Sequence, residues 1–595
     1  MNGNWSQTAT TRRSVLRGGA VGLAGLAGAA LLGCGGGGES GGAKATRSAD
    51  AGADSGAPKN VKRAPGYDPK LGNVTINNRK VIKGGTYRIA STDTAREQDV
   101  DVSISGADVE LYNDRLVYAN GWTMQINPDM LTSYEMVDKT GLQMVFKIRP
   151  GIKTHNKAPV NGRVFTAKDV AYSLLRKAGK IDAKAAAKYA RREQYFGLEK
   201  AEAVDDVTVK LTFSKPNGSM MNALGDPRAQ MIPVEMDTVG FKDPMKQVGT
   251  GAFMQTEYLD GARQVFKAHP DYYRAWDEGG RPGFDTYEKL VISDRASTVA
   301  AYISGQIGIL SGVRPEEEPQ LLASSKDSMY NLWPGPTWDH FAFNLTWAAG
   351  PWKDARVRKA IAMAVDYKAM NDPLGAGWTY SAVLHSQFPE SLTHEQVSKL
   401  PGYNQATRQA DIAEAMKMMD AAGYKEGAGL KWDNVNNGST VSDNNIRYID
   451  QVKKVWPKID IKVKSISDYA SATNVLNNRE FQGRIWNHTS VPDAVGDALT
   501  YYHTNGGRNY QGYSEVWADT LFDKLVGVQT LQERKDLLQQ FIKRYLDEGP
   551  SLVMLRTPAE NSAIHGNVGG YDLISGTWMY PSYQSARRWL WQTEA

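Results

Sequence analysis

Two hydrophobic rhythms alternate along the chain. After the Gly84-Gly85 break, Thr86–Ala90 reads as a short strand, and Leu142, Met144, Phe146 and Ile148 repeat at every second position. Val207, Val209, Leu211 and Phe213 do the same against Thr208, Lys210 and Thr212, so both segments predict half-buried strands. Elsewhere the period is that of a helix. Thr166 stands three residues ahead of Asp169, a capping box with Asp in the usual Glu or Gln place, and opens a helix with Val170 and Leu174 inward. Asp354 starts another, with Val357, Ile361 and Val365 inward and Arg356 and Arg358 outward. Thr407–Ala422 carries Ile412, Met416 and Met419 inward and stops at Gly423, and Arg534–Glu548 carries Leu538, Phe541, Ile542 and Tyr545 before Gly549-Pro550. No internal repeat is visible, and the pattern predicts a mixed α/β chain.

Residues 1–33 read differently. Arg12 and Arg13 precede an apolar Gly/Ala/Leu run from Gly18 to Gly33, too short and glycine-rich for a membrane span, and together they form a twin-arginine export signal. The run ends in Leu31-Leu32-Gly33-Cys34, which resembles the lipobox of bacterial lipoproteins and makes Cys34 the expected lipidated anchor. Residues 34–66 are mainly Gly, Ala, Ser and Asp with almost no large aliphatic side chains, a composition expected of a flexible tether. Within it Gly38-Glu39-Ser40-Gly41-Gly42 fits the nucleophile-elbow pattern, but neither the preceding strand nor the following helix that such an elbow needs can form there.

A length of 595 residues corresponds to three or four domain-sized units at about 150 residues each. The composition, 41% hydrophobic and 23% charged, is that of a soluble globular protein. Arg12, Arg13 and Arg17 account for three of the net +5 charges, leaving +2 on the remainder, too weak a charge to give an electrostatic footprint for nucleic acid. Cys34 is the single cysteine, so no internal disulfide and no cysteine-built metal site can form. Eight histidines include no pair at i,i+4 spacing and no H-E-x-x-H, so no metal site and no cofactor are expected. His155 is expected to be a hydrogen-bonded loop residue, and Asp205-Asp206 a turn. No nucleophile, base and orienting group come together in the pattern, which argues against an exported hydrolase.

Several blocks stand in a telling order: Gly84–Ala90; Leu111–Val117; Leu131–Lys177 with Arg149-Pro150-Gly151-Ile152-Lys153, His155 and the Thr166–Val170 helix start; Val248–Phe253; Ala268–Tyr273; Ala301–Ile309; Phe341–Asn344; and Asp354–Ile361. In sequence and spacing they resemble the extracytoplasmic solute-binding proteins of ABC importers, family 5, the peptide/nickel-binding type. The resemblance implies an α/β, bilobed periplasmic-binding-protein-like fold of the class C type with a hinge between lobes. It divides the chain into domain I (67–109, 240–340 and 560–595), domain II (110–239) and domain III (341–559). It implies an exported, lipid-anchored, monomeric receptor on the outer face of the cytoplasmic membrane or in the periplasm. Such a receptor catalyses nothing; it takes a small solute, by default a short peptide, and delivers it to a membrane permease. A non-peptide solute such as an oligosaccharide or metal chelate, or a sensory role, are the alternatives. Gly249 and Gly251 are read as permitting a tight turn.

Peptide binders of this family commonly hold the ligand amine with an aspartate a few residues after a tryptophan. Trp486 fits that tryptophan, but Thr489 stands three residues beyond it. Asp493 and Asp497 are then the substitute carboxylates, with Asn487 beside the tryptophan. Trp338, in a crowd with Trp333, Trp347, Trp352 and Trp378, is a candidate for stacking on a ligand.

Overall fold

The computed structural model describes residues 84–565, apart from 93, 95–97, 103–107, 120–125, 138–139, 187, 190, 274–282, 325–327, 335, 375–377, 438–440, 468 and 529, and also the fragments 47–48, 75–76, 79–82, 567–569 and 591–593. The signal arginines Arg12 and Arg13 and the lipidation candidate Cys34 lie outside the described residues. The chain divides into two compact units, one running to Trp333 and resuming at Glu560, the other comprising Pro334–Ala559.

In the first unit, β1 (Thr86–Ser91) is the middle strand of a seven-stranded sheet, parallel to neighbours at Thr286–Val291 and Ile309–Ser311. Its Tyr87 and Ile89 are buried in one core with Phe253, Phe266 and Tyr287. A second sheet pairs β2 (Leu131–Met136), β3 (Gln143–Ile148), β4 (Leu198–Ala203) and β5 (Thr208–Phe213) in the spatial order β2-β3-β5-β4, all antiparallel. Met144 lies opposite Leu211 and Phe146 opposite Val209, so the period-two pattern of both strands turns to one core. Helix α1 (Ala167–Lys177) closes that core with fully buried Val170 and Leu174. Its start follows the capping-box logic: the Thr166 N–H donates to Asp169 Oδ2 at 2.9 Å. Asp205 and Asp206 sit exposed in the turn between β4 and β5.

His155 ties two loops of this unit together. It is fully buried; its backbone N–H donates to Gly249 O at 2.8 Å, and its Nε2 lies 2.9 Å from Gly251 O. The two glycines are needed here for a reason other than the expected turn. Neither has a positive φ; instead a Cβ on Gly251 would fall 2.5 Å from Leu111 O, and one on Gly249 would fall 2.1 Å from Tyr112 O. They are glycines because main chain passes against main chain. Burial, followed by the neighbouring His269, pushes the His155 imidazole down from 6.5 to about 3.

The second unit is built on a five-stranded mixed sheet of β6 (Thr337–Phe343), β7 (Lys431–Asn437), β8 (Asp460–Ile466), β9 (Gly483–Thr489) and β10 (Leu552–Arg556), in the order β8-β7-β9-β6-β10. Helices α2 (Ala355–Ala364), α3 (Arg408–Ala421), α4 (Ala494–Tyr502) and α5 (Leu531–Asp547) belong to this unit. Three expectations change. Arg358 does not face solvent: its guanidinium donates to Gly549 O at 2.9 Å and Trp352 O at 2.5 Å, holding carbonyls where α5 ends and next to α2. Met416 is 40% exposed, because the buried stripe of α3 runs through Ala415 and Met419 instead. Helix α5 begins at Leu531, not Arg534, because Thr530 caps it by accepting from the Glu533 N–H at 3.4 Å.

Two outcomes test this account. Gly251→Ala forces a side chain into backbone and should lower stability by about 2 kcal/mol; a melting temperature equal to that of the parent would refute the close-approach reading. Because the unfolded chain protonates His155 near its ordinary value while the folded chain resists, stability should be fully present above about pH 6.5 and decline as pH falls toward 3. Denaturation midpoints across that range should drop less steeply in His155→Asn; equal slopes would sink the assignment.

Candidate functional site

Register decides which side chains can act together in the second unit. β6 and β9 run antiparallel with Trp338 opposite His488, His340 opposite Trp486, Asp339 opposite Asn487 and Ala342 opposite Arg484. Since successive side chains point to opposite faces, Trp338, His340, Arg484, Trp486 and His488 share one face, and Asp339 and Asn487 share the other.

On the shared face Trp338 is wholly buried, its Nε1–H donating to Ser490 Oγ at 2.9 Å and its ring meeting His340, His488 and Tyr501 edge-on at 5.2–5.3 Å. Trp486 is 8% exposed and packs with Val435, Ala472, Leu476 and Phe481. Asn487, on the other face, is exposed. Thr489 is half-buried, with its hydroxyl 3.4 Å from that of Thr337.

The two substitute carboxylates stand at the start of α4. Asp493 is its N-cap, accepting from the Gly496 N–H at 2.7 Å, and its other oxygen accepts from the Arg534 guanidinium. Arg534 also reaches Glu390 at 2.9 Å, so one buried cation from α5 joins two buried carboxylates. Burial raises the Glu390 carboxyl, with Arg534 opposing, while Asp493 and Glu390 together hold the Arg534 guanidinium above its ordinary value against its own burial. Asp497, one turn on, is fully buried and accepts from the Val491 N–H at 2.9 Å. The five expected residues therefore fall into two places: Trp338, Trp486 and Asn487 on a strand pair, Asp493 and Asp497 on the first turn of the helix that follows it.

Sequence reasoning passed over Arg484, His340 and His488. Arg484 occupies an inward position of β9, and that alternation was the available signal. All three are at least 95% buried, with the two imidazoles stacked in parallel at 4.3 Å. Burial pushes both imidazoles well down, assisted by the Arg484 charge, so they are neutral at ordinary pH. Among the described residues no group of three or more His, Cys, Asp or Glu side chains is arranged to hold a metal ion. A cavity of about 830 Å³ opens elsewhere in this unit between α2 and α5, with walls such as Met363, Tyr403, Ile542 and Leu552; none of the five expected residues lines it.

Residues 125–510 match the family model for bacterial extracellular solute-binding proteins, family 5. Among curated relatives, the heme-binding protein A of Haemophilus influenzae is 24% identical, covering 74% of this chain and 80% of its own length. The glutathione-binding protein GsiB of Escherichia coli K12 is 25% identical, covering 71% of this chain and 75% of its own. Among solved structures, the periplasmic binding protein DppA of Helicobacter pylori, in complex with the peptide STSA, superposes with a TM-score of 0.73 at 18% identity over 86% of this chain and 99% of that one. The expected mixed α/β, periplasmic-binding-protein-like fold is thereby established. With a family match across more than half its length and the fold to go with it, the chain belongs to the bacterial extracellular solute-binding proteins, family 5, whose members bind substrates for ABC importers.

Proposed function

We propose that the protein is a lipid-anchored receptor of an ABC importer, held outside the cytoplasmic membrane through Cys34, that closes two lobes on a small solute and passes it unaltered to a permease. The match of residues 125–510 to the solute-binding family carries this reading. A short peptide is the first choice of solute, in line with relatives whose names specify glutathione and dipeptides and with a structural neighbour solved with a peptide. The domain division of 67–109, 240–340 and 560–595 against 110–239 and 341–559 belongs to the same reading.

A second reading has specific support. A peptide amine needs a carboxylate to offset its desolvation, yet Thr489 stands where that aspartate is expected, and Asp493 already accepts from Arg534 and Gly496. A solute without a free α-amine fits this arrangement, and one relative is named for heme.

Thermal denaturation of the purified protein against short peptides, N-acetylated peptides and porphyrins separates the two readings. A true solute raises stability by RT ln(1 + [L]/Kd), about 2.7 kcal/mol at a hundredfold excess over Kd. Equal shifts from free and N-acetylated peptides favour the second reading, and chemical alteration of the solute during incubation would overturn both. Cys34→Ala should move the protein from the membrane fraction to the soluble one. Retention of the variant on the membrane would refute the anchor.

A further inference from the structure

Arg484 is fully buried, and its Nε, Nη1 and Nη2 have no hydrogen-bond partner among the described residues. Its guanidinium instead lies 5.3 Å from the ring centroids of both Phe481 and Tyr510. Ring faces attract a cation, but they do not neutralise it or accept five N–H bonds in its plane. Its charge is felt by Tyr510, Tyr501 and a second guanidinium, Arg508, and among the described residues no carboxylate is ion-paired with it. Burial together with Arg508 outweighs the tyrosines and brings Arg484 down to about 10, still a cation at neutral pH.

Several other buried cations are paired with carboxylates. Arg176 and Lys177 meet Asp99 and Asp101, Arg228 meets Asp226 at 2.6 Å, Lys289 meets Asp108 at 3.0 Å, and Arg534 meets Glu390 and Asp493. A buried, unpaired ion is strongly unfavourable. Around Arg484 the unsatisfied polar atoms continue along the same face: neither ring nitrogen of His340 has a partner, nor has Nε2 of His488. Water could satisfy these hydrogen bonds but not the charge. An anion does both.

We propose that Arg484 is the anchor of a buried anion-binding site in the second unit, which takes a small monovalent anion and is best matched by a carboxylate. The guanidinium fork pairs with the two oxygens of a carboxylate in one plane. The site stands on residues of one unit and does not depend on what the receptor carries.

The test is thermal denaturation of the purified protein and of Arg484→Gln in rising concentrations of sodium acetate and of sodium bromide. The parent should gain a few degrees in a saturable manner while the variant responds far less. A gain with acetate alone identifies a carboxylate guest; a gain with both salts identifies a small monovalent anion of either source. Parallel responses of parent and variant to both salts overturn the site. If Arg484→Gln fails to fold, the parent titration decides: saturation supports the site, and a response that stays linear in salt refutes it.

Discussion

The antiparallel register of β6 on β9 is the constraint from which the chemistry of the second unit follows. Seven pairs, from Thr337 opposite Thr489 to Phe343 opposite Gly483, assign Trp338, His340, Arg484, Trp486 and His488 to one face. A slip of β9 by one residue would move Arg484, Trp486 and His488 to the other face, away from Trp338 and His340 and toward Phe341. At the end of β9 the chain turns through Ser490 and Val491, which are tied to Trp338 and Asp497, into the Asp493 cap of α4. Strand pairing, helix cap and buried ion triad are thus successive consequences of one alignment.

Burial of charge sets the second level of organisation. Each paired cation has its acid brought from a distant part of the chain or from across a turn: Asp101 lies 75 residues from Arg176, and Asp493 lies 41 from Arg534. Such pairs specify an arrangement more than they stabilise it, because desolvation offsets much of the attraction. Arg484 departs from this rule within the same unit that contains the Arg534 triad. A family whose members hold small solutes has a use for fixed buried donors, which cost no reorganisation when a guest arrives.

Local physics made much of the fold legible. The alternation at 142–148 and 207–213, the capping signal of Thr166 and Asp169, and the apolar stripe of Leu538, Phe541, Ile542 and Tyr545 each depend on a few neighbouring residues and appear in the structure as read. Readings that needed a distant partner went astray. Arg358 turns inward because Gly549 and Trp352 offer carbonyls, and Met416 stays exposed because α3 presents Ala415 and Met419 to the core. Gly249 and Gly251 are explained by Leu111 and Tyr112, well over a hundred residues earlier. In the candidate site, Trp486 and the two aspartates were found from spacing. The engagement of Asp493 by Arg534 was not, since nothing near either residue in sequence points to the other.

The chain by itself determined many of its element types, the mixed α/β class and the family, because these rest on periodicity, capping, composition and ordered motifs that act over short stretches. Tertiary structure alone decided which charged and aromatic groups meet, which carboxylates are already engaged, and that Arg484 is buried without a counter-ion among the described residues. Electrostatic energy depends on distance and on exclusion of water, and neither quantity exists for a side chain until remote segments have packed around it.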